Sequence, residues 1–356
     1  MNLKAPFVYF GGKSMIAHLV WQALGRPKHY FEPFFGSGAV LLARPDYMPD
    51  QDIESVVDKD GFVANVWRAL QANPDAVAKV CDWPVNHADL AARKAALIRR
   101  LPALLPDLIA DDKFYDVELA GYWIWAASCW IGSGLTSPGQ ISHLTGGGIP
   151  HLTRGGMGVH APGQRPHLTD GGRGVHAMGQ RPQEAPGGAD VRDPYQTNLW
   201  PWFRALSARL RYVRVVCGDW SRVCGGDWQD KNGTAGFFFD PPYSIEAGRA
   251  ESIYDQESGT VAHDVRAWCL ERGDRPSHRI VLAGYEGEGH EELEAHGWRV
   301  KAWKTQGGYG KIGKGRGLDN RHRERLWFSP HCLTGQGSLF DRTGEDEAGN
   351  GNQESG

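Results

Sequence analysis

Short runs of consecutive apolar residues alternate along this chain with longer stretches of helical periodicity. Tyr30 and Phe31 read as a strand that runs into Gly36, Ser37 and Gly38, followed by a helical start over 39–43. Residues 55–58 form a second strand with Asp58 at its end, and 62–72 a helix with Phe62, Val66 and Leu70 on one face. Helices are expected over 121–131 and 199–211, with a strand over 212–216 after the second. Residues 235–239, three of them phenylalanines, read as a buried strand that delivers Asp240, Pro241, Pro242 and Tyr243. Further strands are expected over 279–283 and 325–328. This alternation predicts an α/β fold with a mostly parallel sheet and a site at the carboxyl ends of its strands.

Two regions break the pattern. Residues 131–188 hold 16 glycines and 6 prolines, too many for a long regular element. Inside them, 151–166 and 167–182 are a tandem repeat identical at 13 of 16 positions, with a truncated copy over 143–150. So few glycine-rich units make no solenoid. The region 331–356 reads as a flexible acidic tail, with five acids and one arginine from 341 onward. The implied organisation is a split domain, 1–80 and 199–330, around a helical and glycine-rich repeat insertion at 81–198.

Composition narrows the class. The net charge of −3 excludes a globally basic nucleic-acid coat, so any such surface is a local patch. Six scattered cysteines without a CxxC pair argue against a disulfide framework or zinc module and fit a reducing cytoplasm. No apolar run is long enough to span a membrane, and the first residues lack the features of a signal peptide.

The strand–GxG–helix at 31–43 is a backbone cradle in which glycine lets a ligand approach the main chain. A nicotinamide fingerprint begins the same way but needs a small residue where Leu41 stands. Glu32 precedes the glycines. A carboxylate there suits a cationic amino group, and Asp58 suits ribose hydroxyls. Together they describe a nucleoside carrying an amino acid, S-adenosylmethionine. The alternative makes Asp58 a helix N-cap and Glu32 a surface acid. In the second motif the Asp240 carboxylate and the Pro241 carbonyl can accept both hydrogens of an exocyclic amine. Pro242 helps to fix the backbone in an extended, donor-free form, and Tyr243 offers a stacking face. Such an arrangement acts on a base taken out of the duplex stack. The alternative is an ordinary turn after a strand.

These motifs, in this order, resemble the Dam-type DNA adenine N6-methyltransferases, in the class whose cofactor motifs precede the recognition region and whose DPPY follows it. Tyr9, Phe10, Gly11, Gly12 and Lys13 are similar to the family's aromatic-x-Gly-Gly-Lys, and residues 31–40 to its first-strand motif. The resemblance covers about 5–72 and 199–330. It implies a Rossmann-like methyltransferase fold, with Asp240, Pro241, Pro242 and Tyr243 as the catalytic run. Cofactor contacts would come from Tyr9, Gly11, Gly12 and Lys13, and from Glu32, Pro33, Phe34, Gly36 and Gly38. Asp58 and Asp240 join them, as do Asp219 and Trp220 by a looser match. Family members that read GATC carry Asn-Gly-Leu and then an Arg-Tyr-Asn-like run. Here 132–138 read Gly-Ser-Gly-Leu-Thr-Ser-Pro, so GATC specificity is not implied.

The expected partner is double-stranded DNA, bound by a monomer without a metal in a bacterial or phage-infected cytoplasm. Residues 301–325 carry eight Lys/Arg against two acids. Lys304, Lys311, Lys314, Arg316 and Arg321 there suit phosphate contact, and Arg154 and Arg173 in the repeats could add to it. The repeats read equally as an expanded loop. The aromatic stretch from Tyr122 to Trp130 reads as core. Gln336, Leu339 and Phe340 in the run 336–340 resemble a short sliding-clamp docking peptide. Alternatives are a cytosine N4 methyltransferase and a binding protein without turnover. A ring-carbon cytosine enzyme is disfavoured because no Pro-Cys nucleophile is present.

Overall fold

The computed structural model describes residues 3–7, 13–129, 135, 199–242, 260–303 and 323–334. The strands are β1 (His29–Glu32), β2 (Ile53–Asp58), β3 (Val213–Cys217), β4 (Ala235–Phe239), β5 (His278–Tyr285), β6 (Arg299–Ala302) and β7 (Glu324–Phe328). The helices are α1 (Ala17–Leu24), α2 (Ala39–Leu42), α3 (Gly61–Ala72), α4 (Pro74–Cys81), α5 (His87–Ala110) and α6 (Val117–Cys129). After the inserted region come α7 (Leu199–Leu210), α8 (Ser221–Cys224) and α9 (Val261–Arg272).

All seven strands form one sheet in the order β3-β2-β1-β4-β5-β7-β6. Pairs among β1 to β5 are parallel, while β7 runs antiparallel to both β5 and β6. The architecture is α/β with a mostly parallel mixed sheet, compatible with a Rossmann-like fold. The strand order turns back between β1 and β4, and such a switch point opens a crevice at the carboxyl ends of the strands. The antiparallel β7 between β5 and β6 departs from the dinucleotide-binding order 3-2-1-4-5-6.

Strand β4 and the middle of β5 read as unbroken apolar runs because both faces of the sheet are covered. Successive side chains point to opposite faces. Tyr30, Val56, Phe238, Val281 and Phe328 join the cluster that holds α1, α3, α6 and α7. Phe31, Val57, Phe237, Phe239, Leu282 and Trp327 join a second cluster with Val261, Val265 and Cys269 of α9. Trp123, Ile124 and Trp125 lie in the first core, as expected of that aromatic stretch. Gly121 lets α6 approach α4 closely, since a Cβ there would lie 2.4 Å from Val80 Cγ1.

Some boundaries shift. Helix α6 begins at Val117 rather than 121, because the Asp116 carboxylate accepts the Leu119 N–H at 2.9 Å and fixes the first turn. Strand β3 begins at Val213 because Tyr212 is exposed in the preceding turn. The six cysteines are free and buried. Among the described residues no helix is long and apolar enough to cross a membrane. The repeats, and the acidic tail from 335 onward, lie outside the described residues; the expected start of the tail at 331 is too early, since Cys332 is buried and its Sγ donates to the Ile280 carbonyl at 3.3 Å.

Candidate functional site

The carboxyl ends of β1 to β4 meet at one sheet edge. After Glu32 the chain turns sharply into α2. Gly36 and Gly38 hold φ of 46° and 60°, which L side chains rarely adopt. A Cβ on Gly38 would also lie 2.6 Å from the Phe35 ring. The corner is tied down on both sides: Gly36 N–H donates to Asp58 Oδ2 at 2.8 Å, and Trp67 Nε1 donates to the Gly36 carbonyl at 2.8 Å. Phe35 N–H donates to the Val57 carbonyl at 2.9 Å. The backbone cradle is therefore preformed.

Asp58 does more than end a strand. Its second oxygen accepts the Asp60 N–H at 2.8 Å. The N-cap of α3 is Asp60, whose carboxylate accepts the Phe62 N–H at 2.8 Å, so the reading of Asp58 as that cap is overturned. Glu32 is not a surface acid either, being only 2% exposed. Its Oε2 accepts from the Tyr30 hydroxyl at 2.9 Å and from the Leu41 N–H at 3.1 Å, pinning strand, corner and helix together. Burial pushes its pKa up to about 8 against those two bonds, with help from the negative charge of Asp240.

At the end of β3, Gly218 N–H donates to the Asp58 carbonyl at 2.9 Å. Asp219 is exposed and accepts from Ser221, the first residue of α8, through its N–H at 3.0 Å and its Oγ at 2.6 Å. The half-buried Trp220 ring faces Phe34, with centroids 6.5 Å apart and planes at 29°, and meets Phe239 edge-on. Pro33 is buried beneath this corner.

Beyond β4, Asp240 is 21% exposed at its side chain, and its Oδ1 lies 3.1 Å from the Nζ of Lys13. Pro241 is buried and Pro242 half-buried. Lys13 is only 4% exposed. Burial works against its charge, but attraction to Asp240 and Glu324 and the hydrogen bond to Asp240 prevail, and its pKa is raised. The Trp303 ring covers the same ammonium, 5.5 Å from Nζ to centroid. Glu324, first in β7, is buried and raised to about 7 by burial, opposed by Lys13 and reinforced by Asp240.

The structure thus brings Lys13, Glu32, Pro33, Phe34, Gly36, Gly38, Asp58, Asp219, Trp220, Asp240, Pro241 and Pro242 to one edge. Tyr9, Gly11, Gly12 and Tyr243 lie outside the described residues, as do Lys304, Lys311, Lys314, Arg316, Arg321, Arg154 and Arg173 and the run 336–340. Sequence reasoning missed Glu324 and Trp303. An acid opening the apolar run Leu326, Trp327, Phe328 was the available signal. Chemically, the edge offers a rigid donor-and-acceptor corner, an acid beside it, and a carboxylate whose charge is paired with a buried ammonium. No protein-family model matches the sequence, and no curated protein matches it.

Proposed function

We propose that this protein is an S-adenosylmethionine-dependent DNA methyltransferase that modifies N6 of an adenine turned out of duplex DNA. One observation carries the reading. The Asp240–Lys13 pair after β4 shares a sheet edge with the glycine corner that Asp58 clamps, although these residues are far apart in sequence.

The residues at the edge fit the cofactor. Gly36 and Gly38 let the backbone make the tight corner, Asp58 lies beside them, and the Trp220 and Phe34 rings are half-buried nearby. Bound there, the cofactor would supply an electrophilic methyl group. Asp240 and the Pro241 carbonyl then accept hydrogen bonds from the target amine and direct its lone pair. Lys13 keeps Asp240 oriented through Oδ1. The two prolines bring no N–H that could compete for either acceptor. Phe237 and Phe239, stacked 6.1 Å apart in the strand beneath, make a rigid base for the run. Positioning of this kind can supply much of a rate enhancement without a strong base.

The test is transfer of labelled methyl from S-adenosylmethionine to DNA, with nucleoside analysis of the product. The reading expects N6-methyladenine with the intact protein and none with Asp240→Ala. Label on cytosine N4 would move the substrate to the other base. Cofactor binding without labelled DNA would leave a binding protein.

A further inference from the structure

Glu324 has no role in the scheme above, yet its position is unusual. Because β7 is antiparallel to β5, its first residue pairs with Tyr285, the last of β5, and so lies at the same edge as Asp240. The residue is 6% exposed, and Oε2 is buried without a hydrogen-bond partner among the described residues. A buried carboxylate oxygen left so needs a nearby cation. Lys13 is a cation near enough to act on it: its charge opposes the rise in the Glu324 pKa, as the Glu324 charge raises that of Lys13. Trp303 completes the arrangement. Its backbone N–H donates to the Glu324 main-chain carbonyl at 3.2 Å while its ring covers the Lys13 ammonium. The neighbouring Arg323 and Arg325 direct guanidinium N–H groups to Glu286, and Arg325 Nη1 also donates to the Glu324 main-chain carbonyl at 3.1 Å. Tyr285 and Asp240 are the other titratable groups around it.

We propose that Glu324 is a positioning residue for the transfer site: with Trp303 it holds the buried Lys13 ammonium in place against Asp240, the carboxylate that receives the target amine. The proposal rests on the methyltransferase reading for its effect on rate, but not for its effect on Lys13. When Glu324 is ionised, two carboxylates attract Lys13, Asp240 through the ion pair and Glu324 at longer range. When Glu324 is protonated, one of those anchors loses its charge. Turnover should therefore rise with pH through neutrality.

The experiment compares the intact protein with Glu324→Gln and Glu324→Asp. Glu324→Gln keeps the shape and removes the charge. Its kcat should fall about ten- to a hundred-fold with KM for cofactor and DNA nearly unchanged, as expected for a misplaced reacting group. The rise in kcat near neutral pH should vanish, and Glu324→Asp should restore part of both. A second arm needs no turnover: acetylation of Lys13 by acetic anhydride, followed by mass spectrometry against surface lysines. Loss of the Glu324 charge should make Lys13 acetylate severalfold faster at a fixed pH. Equal acetylation in intact and Gln proteins of equal melting temperature would overturn the proposal. Faster acetylation in a protein that transfers no methyl group would uphold the Lys13 contact and reject the function instead.

Discussion

Asp58 is the residue on which the cofactor reading can be tested most sharply, because the structure gives it two duties. One oxygen accepts the buried Gly36 N–H, and the other the part-buried Asp60 N–H. Asp58→Ala leaves the first donor unpaired at a cost of about 1–3 kcal/mol, and the second at less, because water can reach it. For a domain of this size that is a fall of several degrees in Tm. Asp58→Asn is not a neutral control, since its amide group would face one of the two N–H donors. If Asp58 also accepts from a ribose hydroxyl, Asp58→Ala loses a further charged hydrogen bond of about 1.5–3 kcal/mol, or one to two decades in affinity. Calorimetry with S-adenosylhomocysteine measures that loss directly. Gly38→Ala is the matched control. It strains the same corner, with φ of 60° and a Cβ 2.6 Å from Phe35, but leaves the carboxylate alone. The expected result is a similar Tm loss in both variants, with the large affinity loss confined to Asp58→Ala. An unchanged Kd in Asp58→Ala, or an equal loss in Gly38→Ala, would refute the ribose role and leave Asp58 as a loop clamp.

Three further outcomes are expected. Asp240→Ala and Asp240→Asn should both lose transfer while keeping the fold, since neither offers two acceptor oxygens; near-normal turnover in either would end the scheme. Glu32→Gln should flatten the pH dependence of stability. The folded pKa of Glu32 is raised from 4.5 to about 8, so its contribution is present in full below 4.5 and lost as pH rises to 8, by on the order of 4 kcal/mol. Parallel urea-unfolding curves for the two proteins across that window would contradict this. If the repeats are an expanded loop, deleting one of them, 167–182, should leave Tm and the modified DNA sequence unchanged, because shortening such a loop alters stability little; a shifted recognition sequence on methylation mapping would show that the repeats read bases.

The parts of the fold legible in the sequence were those whose residues could serve only one purpose. Three phenylalanines in a row at β4 cannot present one wet face, and Phe238 indeed packs on one side of the sheet while Phe237 and Phe239 pack on the other. Strand β1 is legible in the sequence only at Tyr30 and Phe31 because its ends are polar. His29 is buried by stacking on Phe31 at 4.0 Å, where burial first and nearby arginines second lower its pKa to about 4 and keep it neutral. Helix α5 was hidden by Pro102 and Pro106, which read as breakers yet stand inside it. Strand β6 alternates half-buried and exposed positions at the sheet margin, so no apolar face announced it. Of the site, the glycine corner and the Asp240 run were visible because their chemistry is local. Glu324 was not, because its meaning depends on Lys13 at the other end of the chain and on an antiparallel strand that a mainly parallel reading did not specify.

The same burial that hid these groups bears on how a polyanion could approach them. Glu32, Asp58, Asp240 and Glu324 gather at one edge against the single ammonium of Lys13 among the residues argued above. Taken at face value, that edge would repel DNA, and the chain's net charge of −3 would not help. Burial changes the count. With a pKa of about 8, Glu32 keeps its proton near neutrality, and Glu324 at about 7 is close to half-titrated. Lys13, with its raised pKa, stays charged and is paired at 3.1 Å with Asp240. The edge therefore carries much less negative charge at pH 7 than its composition implies. Raising the pH ionises Glu324, which strengthens the hold on Lys13 but restores repulsion toward phosphate. On the proposed function, kcat and DNA affinity should consequently move in opposite directions between pH 6.5 and 8.5, the affinity loss being the more salt-sensitive of the two. Turnover and DNA binding measured at two ionic strengths across that range would show it, and a parallel rise of both would mean that Glu324 does not face the DNA side of the site.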